Sequence, residues 1–162
     1  MQTHKHLIIW FVFLVILLDQ VSKWAIVQYI KLYETIPVIP HFFNLVHTRN
    51  RGMAFGIMNR PDFSFGFYLL AGASIGAIVL LVFWFLSLDE QDKGLEKGIA
   101  LILGGAIGNL IDRIRLGAVI DFLDLYLGSY HWPAFNVSDS AITIGAFWVA
   151  VNYLFFHKKT SA

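Results

Sequence analysis

Long apolar runs dominate the chain, and the polar residues fall between them or gather at one end of them. Phe63 to Leu88 contains no charged side chain, which exceeds the ~20 residues a helix needs to cross a hydrocarbon core. A second run is wholly apolar from Leu7 to Leu18 and continues through Asp19 and Lys23 to about residue 30. A third is uncharged from Gly98 to Ile111 and then meets Asp112, Arg113 and Arg115. The last runs from Ser140 to Phe156 and stops at His157-Lys158-Lys159. These runs predict an integral membrane, mainly α fold with four transmembrane helices, at about 7–30, 63–88, 97–115 and 140–157. All belong to one membrane-embedded domain spanning 1–162. A cleaved signal peptide is the alternative for the first run, but Asp19-Gln-Val-Ser-Lys23 follows it where a small-residue cleavage site would stand.

Four spans put both termini on one side, together with the short polar connector Asp89 to Lys97. The other side receives two longer loops, about 31–62 and 116–139. In the first, Phe42–Thr48 and Met53–Ile57 flank Asn50-Arg51-Gly52 and read as two short strands around a turn. In the second, Val119–Tyr126 is β-rich and precedes the turn signal Gly128-Ser129. Tyr126, Tyr130, His131, Trp132 and Phe135 resemble an interfacial aromatic belt. The expectation is a small β-structured cap lying on the membrane, with an interfacial helix beginning in 58–67.

Composition sharpens the class. Of 162 residues, 57% are hydrophobic and 14% charged, against averages of about 45–50% and about 25% in soluble domains. Twelve Lys and Arg against eleven Asp and Glu leave a net charge of +1, so nothing in the charge balance argues for a nucleic-acid partner. Without cysteine there is no disulfide framework and no thiol nucleophile. The positive-inside rule does not orient the chain, because Lys5, Lys93, Lys97, Lys158 and Lys159 are opposed by Lys31, Arg49, Arg51 and Arg60 on the loop side.

The unusual polar residues gather at that loop side. Asp19 and Lys23 share a helix face at i, i+4 and read as a structural ion pair. Asn109 and Asp112 stand at i, i+3 beyond Gly104-Gly105-Ala106-Ile107-Gly108, a small-residue run suited to close helix packing. Asp121 and Asp139 stand at either end of one loop. Two carboxylates held close share a proton, so one can draw a proton from water while the other donates to a carbonyl oxygen. Asp124 competes with Asp121 for that role, and Asp139 also reads as the N-cap of the last helix. The six histidines have no HExxH spacing, and Ser22-Lys23 are adjacent and diverge on a helix. A small transporter with a proton relay, or a non-catalytic assembly subunit with glycine-rich faces, is the competing class.

Five ordered blocks resemble the bacterial lipoprotein signal peptidases (signal peptidase II). They are Asp19-Gln-Val-Ser-Lys23, Asn50-Arg-Gly52-Met-Ala-Phe55, Gly104-Gly-Ala-Ile-Gly-Asn109-Leu-Ile-Asp112-Arg113, Val119-Ile-Asp121-Phe122 and Phe135-Asn136-Val-Ser-Asp139. The resemblance implies an aspartyl protease of the bacterial inner membrane, multi-pass, with both termini cytoplasmic and the site at the extracytoplasmic face. It would cleave prolipoproteins before a cysteine already carrying diacylglycerol. It implies Asp121 and Asp139 as the catalytic pair, with Asn50, Gly52, Asn109, Arg113 and Asn136 on the substrate. Asp19, Lys23 and Asp112 would hold fold and site together. It implies a monomer that needs no metal or organic cofactor and whose partners are the lipidated prolipoprotein and membrane lipids. Ser138 departs from the pattern, standing where Ala is usual.

Overall fold

The computed structural model describes residues 2–52, 64–89 and 92–155. The elements run α1 Gln2–Tyr29, β1 Thr35–Ile39, β2 Phe43–Asn50, α2 Ser64–Ser87, α3 Lys93–Leu116, β3 Val119–Leu127, β4 Tyr130–His131 and α4 Val137–Phe155. Each helix grows from one of the apolar runs. Among the described residues α1, α2 and α4 are long and apolar enough to cross a membrane. The 24 residues of α3 match α2 in length, but they carry charge at both ends.

α3 packs against the other three helices. Its glycines let the backbones meet. A Cβ on Gly104 would stand 2.7 Å from Val15 Cβ of α1, and one on Gly98 would stand 2.9 Å from the Gly145 carbonyl oxygen of α4. Contacts that close are possible only without a side chain. α3 ends at Gly117, whose left-handed φ of 66° lets its N–H return to the Arg113 carbonyl at 2.9 Å. That reversal sends the chain directly into β3.

The strands form one antiparallel sheet in the order β1-β2-β3-β4. Ile120 and Phe122 of β3 pack on Ile26 of α1 and on Ile30 just past its end, fixing the sheet to the C-terminal end of that helix. His47 of β2 reinforces the joint, its Nδ1 lying 2.8 Å from the Ile30 carbonyl oxygen. A register shift between Leu45 and Thr48 sets Thr48 opposite Asp121 and Asn50 opposite Val119.

Several expectations are adjusted. β2 extends through Asn50, so that residue ends a strand rather than sitting in a turn. The second strand expected at 53–57 and the start of the helix expected in 58–67 fall on 53–63, outside the described residues, and residues 64–67 already belong to α2. β1 was not anticipated, because Pro37 interrupts its pattern. Proline is tolerated on an edge strand, where its missing N–H faces outward. α4 begins at Val137, three residues earlier than expected, which brings Asp139 inside its first turn.

Candidate active site

The site begins with the start of α4. Asn136 precedes the helix, and its Oδ1 accepts the Asp139 N–H at 2.9 Å. In return the Asn136 N–H donates to Asp139 Oδ2 at 3.2 Å. This is a reciprocal capping box with Asp in the N3 position. A further first-turn donor, the Ser138 N–H, goes to Asp19 Oδ1 of α1 at 2.9 Å. The sequence Asn136-Val-Ser-Asp139 thus fixes both the helix start and the direction of the Asp139 carboxylate. The N-cap expected at Asp139 belongs instead to Asn136.

Beneath it lies a buried charge cluster. Lys23 Nζ sits 2.8 Å from Asp19 Oδ2 and 2.8 Å from Asp112 Oδ2, with all three residues at 2% exposure or less. Its third donor goes to Asn109 Oδ1 at 3.1 Å. Asp112 also accepts the Ile120 N–H at 3.2 Å, which ties α3 to β3. Gln20 donates to Asp19, to Asp112 and to the Gly108 carbonyl. The expected Asp19–Lys23 pair is therefore a triad completed by Asp112.

Three asparagine amides carry this order to the two candidate carboxylates. Each has its oxygen held by a donor: Asn50 by the Gly52 N–H at 3.0 Å, Asn109 by Lys23, and Asn136 by the Asp139 N–H. The NH2 of each must then face a carboxylate, and the orientation needs no further assumption. Asn109 Nδ2 donates to Asp139 Oδ1 at 2.8 Å. Asn136 Nδ2 donates to Asp121 Oδ1 at 2.8 Å, and Asn50 Nδ2 to Asp121 Oδ2 at 3.1 Å. Asn136 thus touches both aspartates, through its side chain on one and its backbone on the other.

Asp121 and Asp139 line one cavity of ≈ 790 Å³, with Asn50, Gly52, Asn109 and Arg113. Arg113 points its Nη1 at the Asn109 carbonyl, 3.4 Å away. Arg49, one of the loop-side cations of the sequence, also lines the cavity, as do Trp132 to Phe135. Burial first, and then the negative charge of Asp139, push the Asp121 carboxyl up to about 7 against the hydrogen bonds of Asn50 and Asn136. A carboxyl raised this far keeps a share of its proton at neutrality, which suits a carboxylate pair that titrates as a unit. Asp124 is absent from the lining; its carboxylate instead meets His131 and Asn44. Among the described residues no group of three or more His, Asp or Glu is placed to hold a metal ion.

A family model described as signal peptidase (SPase) II matches residues 11–155. The lipoprotein signal peptidase of Nitratidesulfovibrio vulgaris (strain DP4) is 51% identical over 136 residues, 82% of this chain and 80% of the relative. That of Syntrophus aciditrophicus (strain SB) is 42% identical over 148 residues, 91% of this chain and 92% of the relative. A solved structure described as a bacterial membrane enzyme, determined by the in meso method at 1.9 Å, superposes with a TM-score of 0.79. It shares 33% identity and covers 94% of this chain and 95% of its own.

Proposed function

The chain belongs to the signal peptidase II family, and from that premise we propose that it is an intramembrane aspartyl endopeptidase. It removes signal peptides from prolipoproteins by cutting before a cysteine that carries diacylglycerol. The observation that carries the reading is the pair Asp121 and Asp139 on one cavity, each gripped by asparagine amides of fixed orientation.

A water held between the two carboxylates attacks the scissile carbonyl. Asp139 lies in the first turn of α4, where the helix dipole favours negative charge, and it takes the proton of the water. Asp121, the protonated partner, gives its proton to the carbonyl oxygen. The tetrahedral intermediate collapses as its hydroxyl proton returns to Asp121 and the proton on Asp139 passes to the leaving amine. Both carboxyl groups finish as they began, with no covalent intermediate. Asn50, Gly52, Asn109 and Arg113, which line the cavity, position the substrate backbone and the lipid ester region; Asn136, expected there too, is fully buried and absent from the lining, so it orients the two aspartates instead. Asp19, Lys23 and Asp112 support them from below.

α3 is the fourth span, its charged end paired into the triad. The sheet forms a cap at the extracytoplasmic face of the bacterial inner membrane, with both termini cytoplasmic. Exposed Ile36, Val38, Ile39, Leu127, Tyr130 and Trp132 support its contact with lipid. The cavity lining reaches Ile144 along α4, which suits a signal helix arriving sideways from the bilayer. The protein acts as a monomer on the lipidated prolipoprotein.

The test is cleavage by the purified protein in detergent, read by gel shift and product mass. A diacylglyceryl-modified prolipoprotein should be cut before its cysteine, and the unmodified form should remain intact. A folded wild-type protein that cuts neither, while passing ions in liposomes, would move the chain to the transporter class.

A further inference from the structure

Asp124 stands three residues along β3 from Asp121, and its carboxylate is committed elsewhere. Its side chain is 9% exposed. His131 Nδ1 lies 2.9 Å from one of its oxygens and 3.0 Å from the other. Asn44 Nδ2 of β2 donates to Oδ2 at 2.8 Å. The half-exposed His131 ring stacks on Tyr126 with centroids 4.8 Å apart and 6° between planes. The Tyr126 hydroxyl in turn accepts the His41 N–H, at the β1–β2 turn, at 2.8 Å. One carboxylate and one imidazole therefore join β2, β3 and β4.

The consequence lies just beyond. His131 is the last residue of β4, and the next four residues form a wall of the cavity. That wall is held to β3 at its two ends. The Trp132 N–H reaches the Leu125 carbonyl at 2.8 Å, and the Phe135 N–H reaches the Leu123 carbonyl at 3.0 Å. Between them Pro133 has no N–H to contribute. The first end of the wall follows directly from the residue that Asp124 grips.

We infer that Asp124 and His131 are positioning residues, a clasp that holds the Trp132–Phe135 wall in place for substrate binding. The inference rests on the peptidase reading of the cavity. The pair touches neither Asp121 nor Asp139 and acts through the wall. Its loss therefore weakens capture of the peptide segment and leaves the bond-breaking step intact.

Steady-state cleavage of a diacylglyceryl-modified prolipoprotein peptide separates these effects. His131→Phe keeps a ring to stack on Tyr126 and removes the donor to Asp124. It should raise KM about fivefold, the scale of one partly screened charge-assisted hydrogen bond, and hold kcat within about twofold. His131→Asn returns an N–H donor close to the Nδ1 position and should recover most of the KM. Asp124→Asn should raise KM as His131→Phe does, and thermal unfolding identifies any variant that is simply misfolded. An unchanged KM in folded His131→Phe and Asp124→Asn enzymes overturns the clasp, as does a defect confined to kcat. Both results presuppose wild-type cleavage. Its absence would refute the peptidase reading, and the clasp's role in substrate binding with it.

Discussion

Replacing Asp121 by Asn should stabilise the protein at alkaline pH while abolishing activity. In the folded chain its carboxyl titrates at about 7 rather than at the ordinary 3.8. Between those values the folded chain holds a proton that the unfolded chain has already released. Unfolding therefore becomes easier as pH rises from about 4 to about 7, and the loss is complete above that. At about 1.4 kcal/mol per pH unit, keeping Asp121 ionisable costs roughly 4 kcal/mol at pH 8. Asparagine removes that cost but introduces another. Asn50 and Asn136 both donate to the Asp121 carboxylate, and the new amide offers one oxygen and one NH2. One donor then faces a donor, which forfeits about 1–2 kcal/mol. The net expectation is a gain of about 2–3 kcal/mol at pH 8, or roughly 4–12 °C in Tm for a chain of this size. At pH 4 only the lost hydrogen bond remains, and the variant should be no more stable than wild type. Thermal unfolding in detergent at both pH values measures the difference. A variant whose stability relative to wild type is the same at pH 4 and pH 8 would refute the reasoning, because the account assigns the gain to a proton.

Further perturbations address the support beneath the site. Lys23→Met leaves Asp19 and Asp112 buried without their cation and should cost about 3–5 kcal/mol. Thermal unfolding should show Asp19→Asn/Lys23→Met recovering part of that loss. Ser138→Ala should be neutral or stabilising by up to about 1 kcal/mol with activity retained, because the buried Ser138 hydroxyl has no hydrogen-bond partner. Gly108→Ala should lower Tm and activity together, at a cost of about 1–3 kcal/mol. Its methyl would stand 2.7 Å from Asp19 Oδ2 and against the Ser138 hydroxyl.

The helices were legible because lipid-crossing runs leave little ambiguity. The expected 63–88 differs from the observed Ser64–Ser87 by one residue at each end. Starts rich in polar residues were less clear. Asn136-Val-Ser-Asp139 reads as loop until its reciprocal hydrogen bonds are seen, and Lys93 to Glu96 reads as connector although α3 begins there. β2 and β3 were visible as strands, but their pairing joins residues from 69 (Asn50 with Val119) to 82 (Phe43 with Leu125) positions apart, which no local pattern encodes. The sequence brought Asp121 and Asp139 together only as the two ends of a loop. The choice over Asp124 came from family resemblance, and its physical basis is the grip of His131 and Asn44 on Asp124. The step from Lys23 through Asn109 to Asp139 was hidden, because it depends on α1 meeting α3 across the α3 glycines Gly104 and Gly108.

In the proposed mechanism Asp121 and Asp139 together activate one water. Single-turnover cleavage of a diacylglyceryl-modified prolipoprotein, with both products identified by mass, tests it most directly in the wild type and in folded Asp121→Asn and Asp139→Asn variants. The wild type should cut before the lipidated cysteine, and each variant should lose at least about a thousandfold in rate. A variant of either aspartate that still cleaves at near the wild-type rate would contradict it.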